Sequence, residues 1–261
     1  ERDKIFFIKY VIHYDKDRTL CRGGVGNSGH ITAYITPCDF KDPNLRECIR
    51  EAIHKALPQF AKGVPELGVY SLDPLALDDI IIDQPNLKIT LFNPKLTGIS
   101  KLTLKEFQLD ARDIEADFVL NFVSDFHVAA DYIADGKILI LPIQGKGAST
   151  IDVQKLSCNI TSKLKLHKDS DKHSHMKLSS PAYTYDIGST VFRFENLFNG
   201  NKELSETTHK FANENWKQLM DDLAPPVIKQ IATAIVKNIN AFLSKIRIDK
   251  MLKNYPVHLL N

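Results

Sequence analysis

The sequence has no run of 18 or more apolar residues, so a bilayer-spanning helix is not expected. It also lacks a charge imbalance: 34 Lys and Arg face 32 Asp and Glu, a formal net charge of +2. Without a basic surplus there is no electrostatic reason to expect nucleic acid or an anionic membrane as partner. Catalytic signatures are scarce. There is no His-Glu-x-x-His and no Gly-x-x-x-x-Gly-Lys-Ser/Thr, which removes the helix-borne zinc pair and the phosphate-cradling loop. Gly26-Asn27-Ser28-Gly29-His30 lacks the final glycine of a nucleophile elbow. Gly145-Lys146-Gly147 reads as a turn after a strand. His167, His173 and His175 lie close together, but among Lys168, Asp169, Asp171 and Lys172 they read as a solvated hairpin tip. Asp110, Asp113, Glu115 and Asp117 read as a turn and the polar face of a strand. No catalytic residue, metal or cofactor is assigned.

Cysteine is sparse: Cys21, Cys38, Cys48 and Cys158. Four cysteines allow three full pairings, and sequence alone does not choose among them. Cys38–Cys48 is favoured, closing a loop of roughly ten residues worth about 2–3 kcal/mol. Two reduced thiols in a cytosolic protein are the alternative. Asn159-Ile160-Thr161 is an N-glycosylation acceptor and tilts the reading towards secretion. The chain opens on Glu1 rather than Met and reads as a fragment. Ile5-Phe6-Phe7-Ile8 is too short, and too soon followed by charge, for a secretory core region.

What is present is an ordered succession of elements. Residues 1–33, with Arg22-Gly23-Gly24-Val25-Gly26-Asn27-Ser28-Gly29, read as a poorly ordered extension or one added strand. Residues 34–261 read as one domain. Asp42-Pro43 is expected to open a helix whose Leu45, Cys48, Ile49, Ala52, Ile53, Ala56, Leu57 and Phe60 recur on one face. Gly63 should end it and Pro65 prevent its restart. From about 77 to 195 the pattern alternates as strands do. Leu87-Ile89-Leu91, Phe118 to Val128, Leu156 to Leu166 and Thr190-Phe192-Phe194 each place apolar residues on one side. The second of these carries three phenylalanines. The third puts Cys158 inward and Asn159 outward. Ile138 to Ile143 is apolar throughout and reads as a strand buried on both faces. The last 60 or so residues are helical. Pro225-Pro226 is expected to break or bend a first segment, Leu204 to Leu223. Beyond it Ile228, Ile231, Ala232, Ile235, Val236, Ile239, Phe242, Leu243 and Ile246 fall within an arc of roughly 140°.

Strands segregated from helices mean α+β. One arrangement buries every apolar face: a highly curved antiparallel sheet wrapped around the long C-terminal helix, with the shorter N-terminal helix against one end. Phe107, Phe118, Phe122, Phe126, Phe192 and Phe194 on the strands, with Trp216, Ile231, Ile235 and Phe242 on the helices, then either fill a core or line a gap. A gap would hold an elongated hydrophobic small molecule, excluded from water at about 25 cal/mol per Å².

A series of motifs also carries a family resemblance. They are Pro37-Cys38 with Cys48, Gly63-Val64-Pro65-Glu66-Leu67-Gly68, Leu72-Asp73-Pro74-Leu75 and Leu96-Thr97-Gly98-Ile99-Ser100. Asp131-Tyr132-Ile133-Ala134-Asp135-Gly136-Lys137-Ile138, Leu141-Pro142-Ile143-Gln144-Gly145-Lys146-Gly147 and Asn213-Glu214-Asn215-Trp216 complete them. In order and spacing the chain resembles the insect takeout / haemolymph juvenile-hormone-binding protein family over roughly 34 to 255. The resemblance implies a secreted, non-enzymatic carrier with a hydrophobic tunnel between curved sheet and long helix. Tyr132 and Leu141 join the expected lining. Ligands would be juvenile hormone, a sesquiterpenoid ester, or fatty-acid-like lipids, in a setting of feeding, circadian output or chemosensation. Only Cys158 follows Cys48, so the hormone carriers' second disulfide between later cysteines has no counterpart, and the chain looks closer to the takeout branch. A protein-interaction or membrane-docking module with a filled core is the alternative, and a lipid hydrolase a more distant one.

Overall fold

The computed structural model describes residues 35–112 and 115–255. The expectations for 1–33, Cys21 and Asp113 lie outside them. Two strands dominate: β6 (Glu115–Ile138) and β7 (Leu141–Lys168) pair antiparallel along their whole length. β4 (Leu87–Thr97) and β5 (Thr103–Arg112) pair with the free side of β6. On the free side of β7 lie β8 (Ser174–Leu178), β9 (Ala182–Asp186) and β10 (Ser189–Phe194). β2 (Leu75–Ala76) and β3 (Ile80–Gln84) extend the sheet beyond β4. The register puts Phe118 opposite Ser162, Leu120 opposite Ile160, Phe122 opposite Cys158 and Val128 opposite Ile151. Directly paired residues share a face, so these side chains form one continuous inner surface.

The helices are α1 (Leu45–Phe60), α2 (Lys202–Glu214), α3 (Trp216–Lys245) and the short α4 (Ile248–Met251). α3 has 30 residues, about 45 Å of helix. It touches β3 on one side of the sheet and β8 and β10 on the other, so the sheet curls around it. Amide side chains complete the wrap. Asn213 accepts from the Phe192 amide at 2.7 Å and donates to the Phe192 carbonyl at 3.2 Å. Asn240 does the same to Leu178, at 2.7 and 3.0 Å. Each asparagine supplies the two hydrogen bonds that a neighbouring strand would have given, which satisfies a sheet edge with a helix. His209 Nε2 accepts from the Phe194 amide in the same manner, at 2.9 Å.

Several expectations are corrected. Ile138 to Ile143 is not one strand but a hairpin: Leu139 and Ile140 form its turn, Leu139 at φ 54° and Ile140 79% exposed. An apolar run hides a turn when the turn residues are themselves apolar, because periodicity alone cannot mark the reversal. The break in the C-terminal helices falls at Asn215, not at Pro225-Pro226. Asn215 turns its side-chain amide back onto the Phe211 carbonyl at 2.8 Å, beside its own backbone N–H at 3.0 Å, and so caps the end of α2. The prolines lie inside α3. They cannot donate to the carbonyls of Asp221 and Asp222, but all four residues are exposed, where water can take the place of those bonds. α1 starts at Leu45 rather than at Asp42-Pro43. The Asp42 carboxylate accepts from the Asn44 amide at 2.8 Å and forms a turn ahead of the helix. Pro65 opens a short 3-10 turn, Pro65–Leu67, instead of merely forbidding helix.

The Gly145-Lys146-Gly147 turn is also corrected, since both glycines sit inside β7 opposite Ala134 and Tyr132. A side chain on Gly145 would come within 2.6 Å of the Tyr132 hydroxyl, and one on Gly147 within 2.9 Å of the Glu195 carbonyl. The glycines make room for the Tyr132 hydroxyl to donate to the Glu195 carbonyl at 2.7 Å. Burial, then the nearby Glu195, pushes that phenol up to about 12.

Candidate functional site

The main core gathers Leu87, Ile89, Leu91, Val128, Tyr132, Ile143, Phe192 and Leu219, where α2 and the first half of α3 meet the sheet. At the other end the surfaces part. A cavity of about 210 Å³ opens there between α1, the far ends of β5 to β8 and the C-terminal end of α3. α1 contributes Ile49, Ala52, Ile53 and Ala56, one face at three- and four-residue steps. Phe107 and Leu109 come from β5, Leu164 and Leu166 from β7, Met176 from β8, and Phe242 from α3. Ile248, Met251, Leu252 and Tyr255 close the side nearest the C-terminal segment.

Three ties hold this end. Cys38 and Cys48 are disulfide-bonded, with Cα atoms 5.9 Å apart, and Cys38 is itself in the lining. β1 (Cys38–Asp39) pairs in parallel with β11 (Leu252–Lys253). His54 on α1 accepts from the Leu104 amide at 3.2 Å and so pins α1 to β5. Among the described residues the lining carries one charged side chain, Glu115. Lys165, 2.9 Å away, and Lys163 at 3.6 Å hold its carboxyl below the ordinary value.

Of the residues singled out in the sequence, Phe107 and Phe242 line the cavity. Phe118 stacks on Phe107 at 6.4 Å between ring centres, and Phe242 meets Phe60 edge-on at 5.4 Å. Phe122 is half-buried farther along the inner face, opposite Cys158. Tyr132 and Phe192 are buried in the main core, and Phe126, Phe194, Trp216, Ile231 and Ile235 pack against it. Leu141 is half-buried beside the hairpin turn. Cys158 is a buried free thiol pushed up to about 11 by burial, and Asn159 next to it is exposed. Residues on α1, and Met176, Ile248 and Met251, were not singled out. Their apolar spacing marks a packing face, and nothing local distinguishes a face that meets a partner from one that meets a space.

The histidine-rich hairpin corrects another expectation: His175 is only 5% exposed, because the corner between α3 and α4 covers it. Asp169, Asp171 and His173 bring donor atoms within 4.8 Å of one another. The Asp169 carboxylate is taken up by the amides of its own turn, and no ion is assigned there. On the outer face His127 pairs with Asp152 at 2.6 Å, and Arg193 also bonds that carboxylate. The pairing holds the Asp152 carboxyl below its ordinary value, His127 contributing most. No described helix is long and apolar enough to cross a membrane.

The family model described as haemolymph juvenile hormone binding protein (JHBP) matches residues 20–253. The chain is 27% identical over 226 residues to the circadian clock-controlled protein daywake of Drosophila melanogaster, covering 83% of this chain and 86% of that one. It is 20% identical over 217 residues to a Schistocerca gregaria protein whose name proposes beta-carotene binding, covering 80% and 84%. Among solved structures, Takeout 1 of Epiphyas postvittana superposes with a TM-score of 0.76 at 33% identity, over 83% of this chain and 99% of that one.

Proposed function

The chain belongs to the haemolymph juvenile hormone binding protein family, and from that premise we propose that it is a secreted carrier for an elongated, uncharged lipophile. The observation that carries the reading is the apolar cavity of about 210 Å³ between α1, the sheet and the end of α3. Water gains little there, whereas an apolar tail gains about 2.5 kcal/mol for each 100 Å² it removes from water. The volume is below the roughly 300–1,000 Å³ of pockets for drug-sized ligands. A terpenoid tail would therefore occupy the cavity while the rest of the molecule extends along the inner face towards Phe118 and Phe122. Among the described residues the charge on the lining is the anion of Glu115. An ionised fatty acid would meet that anion and no cation among the described lining residues, and this favours an ester, alcohol or hydrocarbon. The names of the relatives point the same way, since juvenile hormone and beta-carotene are both uncharged isoprenoids. Residues 34–261 act as one ligand-binding domain, and Asn159 is available for a sugar.

Native mass spectrometry before and after organic extraction tests the reading. The expected result is a bound lipid mass that extraction removes and added juvenile hormone or a retinoid ester restores. Phe122→Asp is expected to abolish that uptake by placing an unpaired charge against apolar surface. A folded wild-type protein that takes up none of these lipids overturns the carrier function.

A further inference from the structure

His175 joins two elements that together form one wall of the cavity. Its Nδ1 lies 3.0 Å from the carbonyl oxygen of Ile246, where α3 ends. Its Nε2 lies 3.1 Å from Asp169 Oδ2, in the turn between β7 and β8. Both partners are acceptors. A neutral imidazole has one donor nitrogen and one acceptor nitrogen, so only the doubly protonated ring satisfies both contacts. The other oxygen of Asp169 accepts from the amides of Asp171 and His173 at 2.9 and 2.8 Å. Burial pushes that carboxyl up, but those two amides and the His175 ring together hold it below its ordinary value, so it stays an anion. The chain of contacts runs from the hairpin turn through the carboxylate and ring to the end of α3. A bridge between His175 and Arg247 adds a backbone connection at the same corner.

The other titratable and charged groups around the ring are few. His167 on β7 lies 5.9 Å away between ring centres, and Lys168 ends that strand. His173 sits 3.6 Å from Asp169. On the corner, Arg247 is paired with Asp249 at 2.6 Å. The cavity begins one residue away: Met176 follows His175, Leu166 faces Met176 across the strands, and Ile248 follows Arg247, all three in the lining.

We propose that His175 is a proton-operated latch on this wall, closed while both ring nitrogens carry hydrogen and released as rising pH removes one of them. The device rests on the carrier reading for its purpose, though not for its test. Whichever nitrogen loses its proton, a lone pair then faces an oxygen at about 3 Å within a buried site, and one contact becomes repulsive. The latched form binds one more proton than the released form, so acid favours latching and alkali favours release. A ligand would be held at low pH and exchange faster at high pH.

The Asp169→Asn variant separates this from a general pH effect. An amide placed with its oxygen on the Asp171 and His173 amides would offer an N–H to Nε2, and a neutral ring would then satisfy both contacts. The experiment combines ¹⁵N spectra of the ring with amide exchange at Met176 and Ile248, corrected for intrinsic rates, between about pH 5.5 and pH 8.5. In the wild type, both ring nitrogens should be protonated at the lower pH, and amide exchange should quicken by about tenfold at the higher. In Asp169→Asn exchange should stay slow throughout, and in His175→Gln fast throughout. A singly protonated ring at the lower pH, or a wild-type pH response retained in Asp169→Asn, overturns the latch. Release of N-phenyl-1-naphthylamine, measured in parallel, should follow the same profile. Failure to bind that probe at any pH counts against the carrier reading, while amide exchange still decides the latch.

Discussion

At the Tyr132 end of the half-barrel the sheet, α2 and α3 pack into one core, whereas at the α1 end α3 meets the sheet along β8 and a cavity is left beneath α1. The alternation along β6 and β7 is the same at both ends, and the same helix runs past each. What differs is the fit of the third party. At the packed end Gly145 and Gly147 clear space for a tyrosine, which then reaches the Glu195 carbonyl, and α2 closes over β10. At the open end α1 presents the small side chains of Ala52 and Ala56, with Ile49 and Ile53, to the cavity. A disulfide, a two-residue strand pair and one histidine bond fix α1 there. The space is therefore bounded by these ties at its rim together with the Phe60–Phe242 ring contact between α1 and α3.

Mutations can break or sharpen this contrast. The largest stability loss is expected for Tyr132→Ala at the packed end, about 3–5 kcal/mol by urea denaturation, as for other aromatic-to-alanine changes in a core. Phe107→Ala on the cavity should lose well under half of that, because part of its surface already faces a space; equal losses would erase the distinction. Cys48→Ser removes a rim tie and should lower stability by about 2–3 kcal/mol. The reduced wild type should behave likewise in thermal melts. Asn240→Ala and Asn213→Ala each strip two hydrogen bonds from a sheet edge, at about 1–3 kcal/mol. The two edges differ in what they border, so only Asn240→Ala should also speed probe release. Ala56→Leu should shift stability by less than about 1.5 kcal/mol while filling the space. Probe titration should then show binding lost, and unchanged binding would place the ligand elsewhere.

Much of the architecture is legible from periodicity alone. The inner faces of β6 and β7, the apolar face of α1 and the amphipathic stripe of α3 all follow from spacing, and so does an inward Cys158 beside an outward Asn159. The hairpin at Leu139-Ile140 is not legible, because its turn carries none of the residues that usually mark one. Nor is continuity through Pro225-Pro226, since it depends on which face of α3 is wet. The cavity is harder still. Phe107 and Phe192 have the same chemistry and the same alternation, yet one borders a space and the other is buried. That difference comes from where α1 and α2 come to rest, and each position is fixed by residues far away in sequence. His175 was hidden for a similar reason: its burial depends on Ile246 and Arg247, some 71 residues on.

The pairing of Cys38 with Leu252 joins positions more than two hundred residues apart at the rim of the cavity. Such a contact is among the slowest to form, because the loop it closes is nearly the whole chain. A nascent polypeptide lengthening from its N-terminal side would have its sheet and most of α3 before it had the last wall of the apolar cavity. Until residues 248–253 emerge, the apolar inner wall lacks the side that Ile248, Met251 and Leu252 supply.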